Sequence, residues 1–198
     1  MNAPKRDRYH HGDLRAALVR TAIELIAERG VRDFSLAEAS RRIGVAPSAP
    51  YAHFTDRDEL LAAVALHGFE LFQRELDPAL ARASTPRERL AAMARAYVHF
   101  AAEHEPLFVA LFQMRLDKGR HPELAAAERP IEDAFRAVVG AVSRGRDGDA
   151  LAAAVEAIAH GHATLLLDGR FGRGRRAVVR AADSAARTTV AVADGWAA

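Results

Sequence analysis

The chain has no cysteine. That excludes disulfides and thiolate metal sites, and it fits a reducing compartment. No stretch supplies the roughly 18 or more uninterrupted apolar residues of a membrane span. The charged start MNAPKRDRYHHGDLR lacks the apolar core of a signal peptide. Lysine is nearly missing: Lys5 and Lys118 stand alone, and arginine carries almost all the positive charge. Alternating β-branched runs are absent too, which removes the usual signal for a sheet. These absences lead to the expectation of a soluble, cytoplasmic chain with no membrane partner.

What fills the 198 residues is alanine, leucine, arginine and glutamate, with apolar residues at helical spacing. The fold class expected is all-α, with about nine helices near 13–29, 35–43, 47–53, 56–76, 86–103, 106–113, 122–143, 148–167 and 174–195. Leu14, Leu18, Ala22, Leu25 and Ile26 make one apolar stripe on the first helix, and Gly30 ends it. SLAE at Ser35, TDRD at Thr55 and TPRE at Thr85 are capping-box-like starts, the last with Pro86 at the first helical position. LDPALARASTP is expected to break the chain after the fourth helix. Net charge is only +2, and the excess lies in residues 1–58, where ten Lys/Arg face eight Asp/Glu. A polyanion partner at this end is the reading.

The segment GVAPSAPYAHF, Gly44–Phe54, links two short helices through a glycine, which is the helix-turn-helix plan. Leu36, Ala39, Ile43, Val45 and Phe54 are its expected core. A 3.6-residue period on the second helix puts positions 47, 50, 51 and 54 inward and Ser48, Ala49, Ala52 and His53 outward. Pro47 is expected at the first helical position and Pro50 at the fourth, where each forfeits little. Ser48 and Ala49 can approach base edges. Tyr51, His53, Arg57, Arg41 and Arg42 can contact phosphates, which position without specifying sequence. For Arg41 and Arg42 a solvated helix face is the equal alternative. Lys5, Arg6 and Arg8, in a flexible basic arm over 1–9, can reach a neighbouring groove.

Residues 10–66, with RTAIELIAERGVRDFSLAEASRRIGVAPSAPYAHFTDRDELLAAV, resemble the DNA-binding domain of the TetR (tetracycline repressor) family. The resemblance implies recognition roles for Ser48, Ala49, Tyr51 and His53, with Tyr51 and His53 as the phosphate-contacting pair. Arg57 sits where the family often has Lys. Pro50 departs from the family's usual Leu, Ile or Thr. Residues 77–198 are similar to TetR-type effector domains. AHGHATLLLDGRFG, Ala159–Gly172, resembles the Trp-His-Gly subgroup, although its Trp is absent. The resemblance implies three parts: the arm at 1–9, the DNA-binding domain at 10–60 with its helix-turn-helix at 35–54, and an effector-binding and dimerisation bundle at 61–198.

Phe69, Phe72, Met93, Tyr97, Phe100, Phe108, Phe112, Met114 and Phe135 read either as ordinary core or as the wall of an apolar ligand pocket, with His160 as a further pocket candidate. Tyr97, His99, Gln113 and Arg115 are the polar groups nearby. His160 and His162, two apart, cannot share a metal on one helix. Glu156 and His160 share a face, so a His–Glu pair is expected there, with no metal site and no cofactor. His104 shows no ligand spacing. GRFGRGRR at 169–176 follows a helix, which argues against a dinucleotide loop.

The function expected is a ligand-responsive regulator, a repressor released from a palindromic double-stranded DNA operator by a small apolar molecule, and not an enzyme. A DNA-binding dimer without an effector, or an α-helical enzyme or carrier, are the alternatives. Homodimerisation is expected through about 148–167 and 174–195. The surface proposed is Ala152, Val155, Ala159, Gly161, Ala163 and Leu166 with Val178, Val179, Ala182, Ala186, Val190 and Ala193. Gly161 there costs about 1 kcal/mol of helix propensity.

Overall fold

A computed structural model describes residues 11–112, 116–144 and 146–197. Among these the chain forms eight α-helices, one 3₁₀ turn and no strand. The helices are α1 (His11–Arg29), α2 (Leu36–Ile43), α3 (Arg57–Ala81), α4 (Pro86–Glu103), α5 (Glu105–Phe112), α6 (Pro122–Ser143), α7 (Gly148–Leu167) and α8 (Arg175–Ala197). The 3₁₀ turn, Ala49–Ala52, lies between α2 and α3.

Local chemistry sets most boundaries. Gly30 takes φ 79° and its N–H reaches the Ile26 carbonyl at 2.9 Å, which stops α1. The Ser35 hydroxyl accepts from the Glu38 N–H at 3.2 Å and starts α2. Gly44, at φ 73°, ends it, and Val45 N–H closes back on the Ser40 carbonyl at 3.1 Å. Thr85 and Glu88 form a full capping box at α4, with Pro86 opening the helix.

Two expected boundaries differ. The cap of α3 is Asp56 rather than Thr55: its carboxylate accepts from Glu59 N–H at 2.9 Å. Thr55 instead donates its N–H and hydroxyl to the Glu59 carboxylate, at 2.6 and 2.8 Å. The second difference is Pro78, which does not break α3; the helix runs on to Ala81. A mid-helix proline costs about 3 kcal/mol, but here the apolar face continues across it. Leu76 is buried, and both it and Leu80 pack with Leu90, Met93 and Val138.

α1, α2, the 3₁₀ turn and the start of α3 close around Leu18, Leu25, Phe34, Leu36 and Phe54. α3 then carries the chain into a bundle. There α4 packs against α3, α6, α7 and α8. The core around Leu18 and Phe54 is continuous with Phe100, Phe108 and Ala185 in the bundle, so the two parts meet through packed side chains rather than a linker.

Candidate nucleic-acid interface and effector cavity

The segment after Gly44 is a 3₁₀ turn, where spacing predicts an α-helix over 47–53. The prolines explain this. Pro47 and Pro50 remove two of the N–H groups that an α-helical ladder would use. The bonds that remain are mostly of the i→i−3 kind, from Tyr51 N–H to Ser48 at 3.2 Å and from His53 N–H to Pro50 at 2.8 Å. Pro50 lies at the start of the turn and is buried, while Pro47 lies outside it and is exposed.

A period of three rather than 3.6 also changes which residues face out. Residues three apart eclipse in a 3₁₀ turn, so Tyr51 follows Ser48 to the outside. Tyr51 is 59% exposed, against its inward placement by helical spacing. Pro50 and Phe54 are the inward pair. Ser48 and Ala52 are exposed, and Ala49 and His53 are half-buried.

The arginines are less free than spacing implies. Arg57 folds back along α3. Its Nε donates to the Phe34 carbonyl at 3.1 Å, another guanidinium nitrogen bonds the Val31 carbonyl, and the group lies over the Phe34 ring at 4.9 Å. It ties the loop after α1 to α3. Arg42 makes two bonds to the Glu28 carboxylate, at 2.9 and 2.6 Å. Arg41 is paired with Glu38 at 2.6 Å on an open face. Lys5, Arg6 and Arg8 lie outside the described residues.

In the bundle, α3, α4, α6 and α7 with the end of α5 enclose a cavity of about 350 Å³. Phe69, Phe72, Met93, Tyr97, Phe112 and Phe135 line it. Phe100 and Phe108 do not: both are fully buried one layer deeper. Phe100 packs on Phe72 at 5.0 Å between centroids, and Phe108 stacks against His160 at 5.6 Å. Met114, Gln113 and Arg115 lie outside the described residues.

His160 does not line the cavity either. Its Nδ1 meets the Tyr97 hydroxyl at 3.0 Å, and no Glu156–His160 ion pair forms among the described residues. A buried phenol needs a hydrogen-bond partner, and His160 supplies it. Burial first, and the Glu156 charge second, push the Tyr97 hydroxyl far above its ordinary pKa. His99 turns away, 3.9 Å from Glu103. Charged residues line the cavity too: Glu156, expected instead to pair with His160, and Lys118, Glu128, Glu132 and Arg136, which sequence spacing does not bring together. On α6, the four-residue steps from Glu128 to Glu132 to Arg136 beside Ile131 and Phe135 were the available signal.

The fold also assembles Glu75, Glu103 and His104, whose ligand-type atoms lie within 4.8 Å of one another. Glu75 and His104 are already paired at 2.8 Å. They are 29 positions apart, beyond any local spacing pattern.

Another expectation changes at α7 and α8. Val155, Ala159, Ala163, Leu166, Ala182, Ala186 and Ala193 are buried inside one chain, because α7, α8 and α4 pack on each other through these small residues. What remains outside is Leu165 at 43% exposure, Val179 at 45%, and Gly161, where an added Cβ would meet nothing within 4 Å.

Two family profiles match the chain. The profile described as bacterial regulatory proteins, tetR family, matches residues 18–64. The profile described as tetracyclin repressor-like, C-terminal domain, matches residues 90–193, more than half of the chain. The chain belongs to the tetR family. Its first tetR match contains every described residue of the outward face, and its second contains α5, α6 and α7 whole and most of α4 and α8. The cavity residues Phe69, Phe72 and Leu76 fall between the two. The HTH-type transcriptional regulator BetI of Brucella anthropi is 34% identical over 79 residues, 40% of this chain and 41% of that regulator. The chain thus aligns with about two-fifths of the curated relatives it matches. A protein of unknown function from Rhodococcus sp. RHA1 is 31% identical, with a TM-score of 0.74 over 92% of this chain and 98% of that one. FadR from Bacillus subtilis, solved with stearoyl-CoA, shares the fold at 15% identity and a TM-score of 0.71, over 88% of this chain and 97% of that one.

Proposed function

We propose that this tetR-family chain is a ligand-responsive transcriptional repressor. It binds a palindromic double-stranded DNA operator as a homodimer in the cytoplasm, and a small, largely apolar molecule releases it. The observation that carries the reading is the pairing of an outward-facing 3₁₀ turn, just before the long helix α3, with an aromatic cavity that α3 helps to line. Ser48 and Ala49 lie at the base edges, and Tyr51 and His53 hold phosphates on either side. Arg41 and Arg42 add positive charge once their exposed ion pairs exchange for phosphate. Arg57 serves the fold. Lys5, Arg6 and Arg8 extend the contact.

Two units are needed because one such turn offers little interface. The exposed side of α7 supplies the joint. α7 is apolar enough by length and composition to cross a membrane, with mean hydropathy 1.4, yet only 28% of that stretch is buried in one chain. Leu165 and open Gly161 on α7, with Val179 on α8, suit a close helix-on-helix contact with a second copy.

The loop before α6 supports coupling between the two sites. Lys118 stands at the cavity rim, and Arg120 two residues on bonds Asp56 at 2.9 Å. Asp56 caps α3 directly after the reading turn. The Arg120 bond and the Glu59 N–H hold the Asp56 carboxyl below its ordinary pKa. A ligand that shifts the rim therefore pulls on the turn. The stearoyl-CoA of FadR supports an apolar ligand within this fold.

Selection of bound duplexes from a random pool by the full-length protein tests the reading. It should enrich a two-fold symmetric sequence with half-sites about 34–36 Å apart or another fixed spacing. Failure to enrich any motif at physiological salt would overturn it.

A further inference from the structure

The cavity floor is aromatic. Tyr97 lies 5.9 Å from Phe72, edge to face, and 5.0 Å from Phe112, with Phe135 on the facing helix. The rim holds two cations and three carboxylates. Both cations are matched. Lys118 is paired with Glu128, and Arg136 lies 2.9 Å from Glu132 and 3.4 Å from Asp149. Glu156 has no ion pair or hydrogen bond among the described residues. Its charge acts on the Tyr97 hydroxyl, and that hydroxyl is held by His160. Among the described residues, one carboxylate without an ion pair therefore lines the same cavity as a set of aromatic rings.

Ring faces carry partial negative charge and attract cations. A carboxylate at the mouth of an apolar space adds to that field. An anionic head group would meet the same field as repulsion. We propose that the molecule bound here is an organic cation with an apolar body, its hydrocarbon part on the aromatic floor and its charged nitrogen toward Glu156. The proposal rests on the cavity being the effector site and adds the chemical class. A cavity of about 350 Å³ suits a ligand at the small end of the range for such sites.

Three probes of matched length separate the classes: octyltrimethylammonium, octanol and octanoate. Each is titrated calorimetrically into the full-length protein, and each is tested for release of a fluorescent operator duplex. The cation should bind at least about tenfold tighter than octanol, with octanoate the weakest. Glu156→Gln should bring the cation to the level of octanol and leave octanol unchanged. Glu156 is exposed on α7, so circular dichroism should stay constant. Octanoate binding as tightly as the cation, or a cation preference that survives Glu156→Gln, overturns the proposal while octanol binding keeps the effector site. Binding of none of the three overturns both.

Discussion

The two working ends of this molecule are built in opposite ways. At the DNA end the reading turn is backed by a packed interior: Leu36, Ala39, Pro50 and Phe54 are buried, and the residues of interest are those pushed outward. Tyr51 is the most exposed large apolar side chain among the described residues. In the bundle, helices of 18 to 25 residues leave a space of about 350 Å³, and the residues of interest are those that stop short of meeting. A convex face depends on local backbone geometry, within a dozen residues of sequence. A concave site depends on four helices and on which of several similar side chains fails to fill the gap.

The proposed dimer joint tests whether the convex face works alone. Gly161→Arg places a long charged side chain where one chain has open space. The monomer should therefore fold, with slightly better helix propensity, while the paired state is lost. Operator affinity should fall by at least about a hundredfold, toward the non-specific level. Light scattering gives the mass, and a duplex titration at fixed salt gives the affinity. A variant that remains dimeric would remove the outer face of α7 from the joint.

Packing should then separate the two ends. Phe54 is 1% exposed and closes the reading unit, so Phe54→Ala should cost roughly 3–5 kcal/mol. Phe135 borders empty space and is only half-buried, so Phe135→Ala should cost about 1 kcal/mol and enlarge the cavity. Urea unfolding of both variants measures the difference. Equal losses would mean that Phe135 is core after all.

On the outward face the effects are smaller and differ in kind. His53→Ala and Tyr51→Phe should each weaken binding about tenfold or less on operator and scrambled duplexes alike, because phosphate contacts carry no sequence information. Ser48→Ala should change the preferred sequence instead. A His53→Ala protein that loses operator binding but keeps scrambled binding would reverse these roles.

These cases also mark what was legible beforehand. The capping pairs Ser35–Glu38 and Thr85–Glu88 were readable because both partners lie within one turn. A 3.6-residue period places Tyr51 inward, but the prolines of this turn enforce a period of three, which turns it outward. Pro47 and Pro50 together carry that signal in the sequence. Phe100 and Phe72 look alike in sequence, yet the fully buried one sits in the layer behind the cavity and the other on its wall. The charged rim needs α6, α7 and the loop at Lys118 to converge, and the four-residue steps along α6 mark only its α6 part.

The smallest effect should come from Pro50→Leu. Helical spacing suggests that leucine would regain a hydrogen bond, since its N–H would point to the carbonyl of Ala46. In the folded chain that carbonyl already accepts from Ala49 N–H at 2.9 Å, so the new donor could only share it. Against this small gain, the buried proline ring fits its slot, and a flexible side chain must replace it. Proline also limits the unfolded chain, an advantage of about 0.4–1 kcal/mol that leucine gives up. The terms nearly cancel, and stability should move by less than about 1 kcal/mol. Operator affinity measured beside wild type should change about threefold or less, because the turn is also held by Phe54 N–H on the carbonyl of residue 50 at 2.9 Å, a bond that leucine keeps. A folded Pro50→Leu protein that no longer binds the operator would show that the proline-enforced period, rather than the side chains it displays, sets the reading geometry.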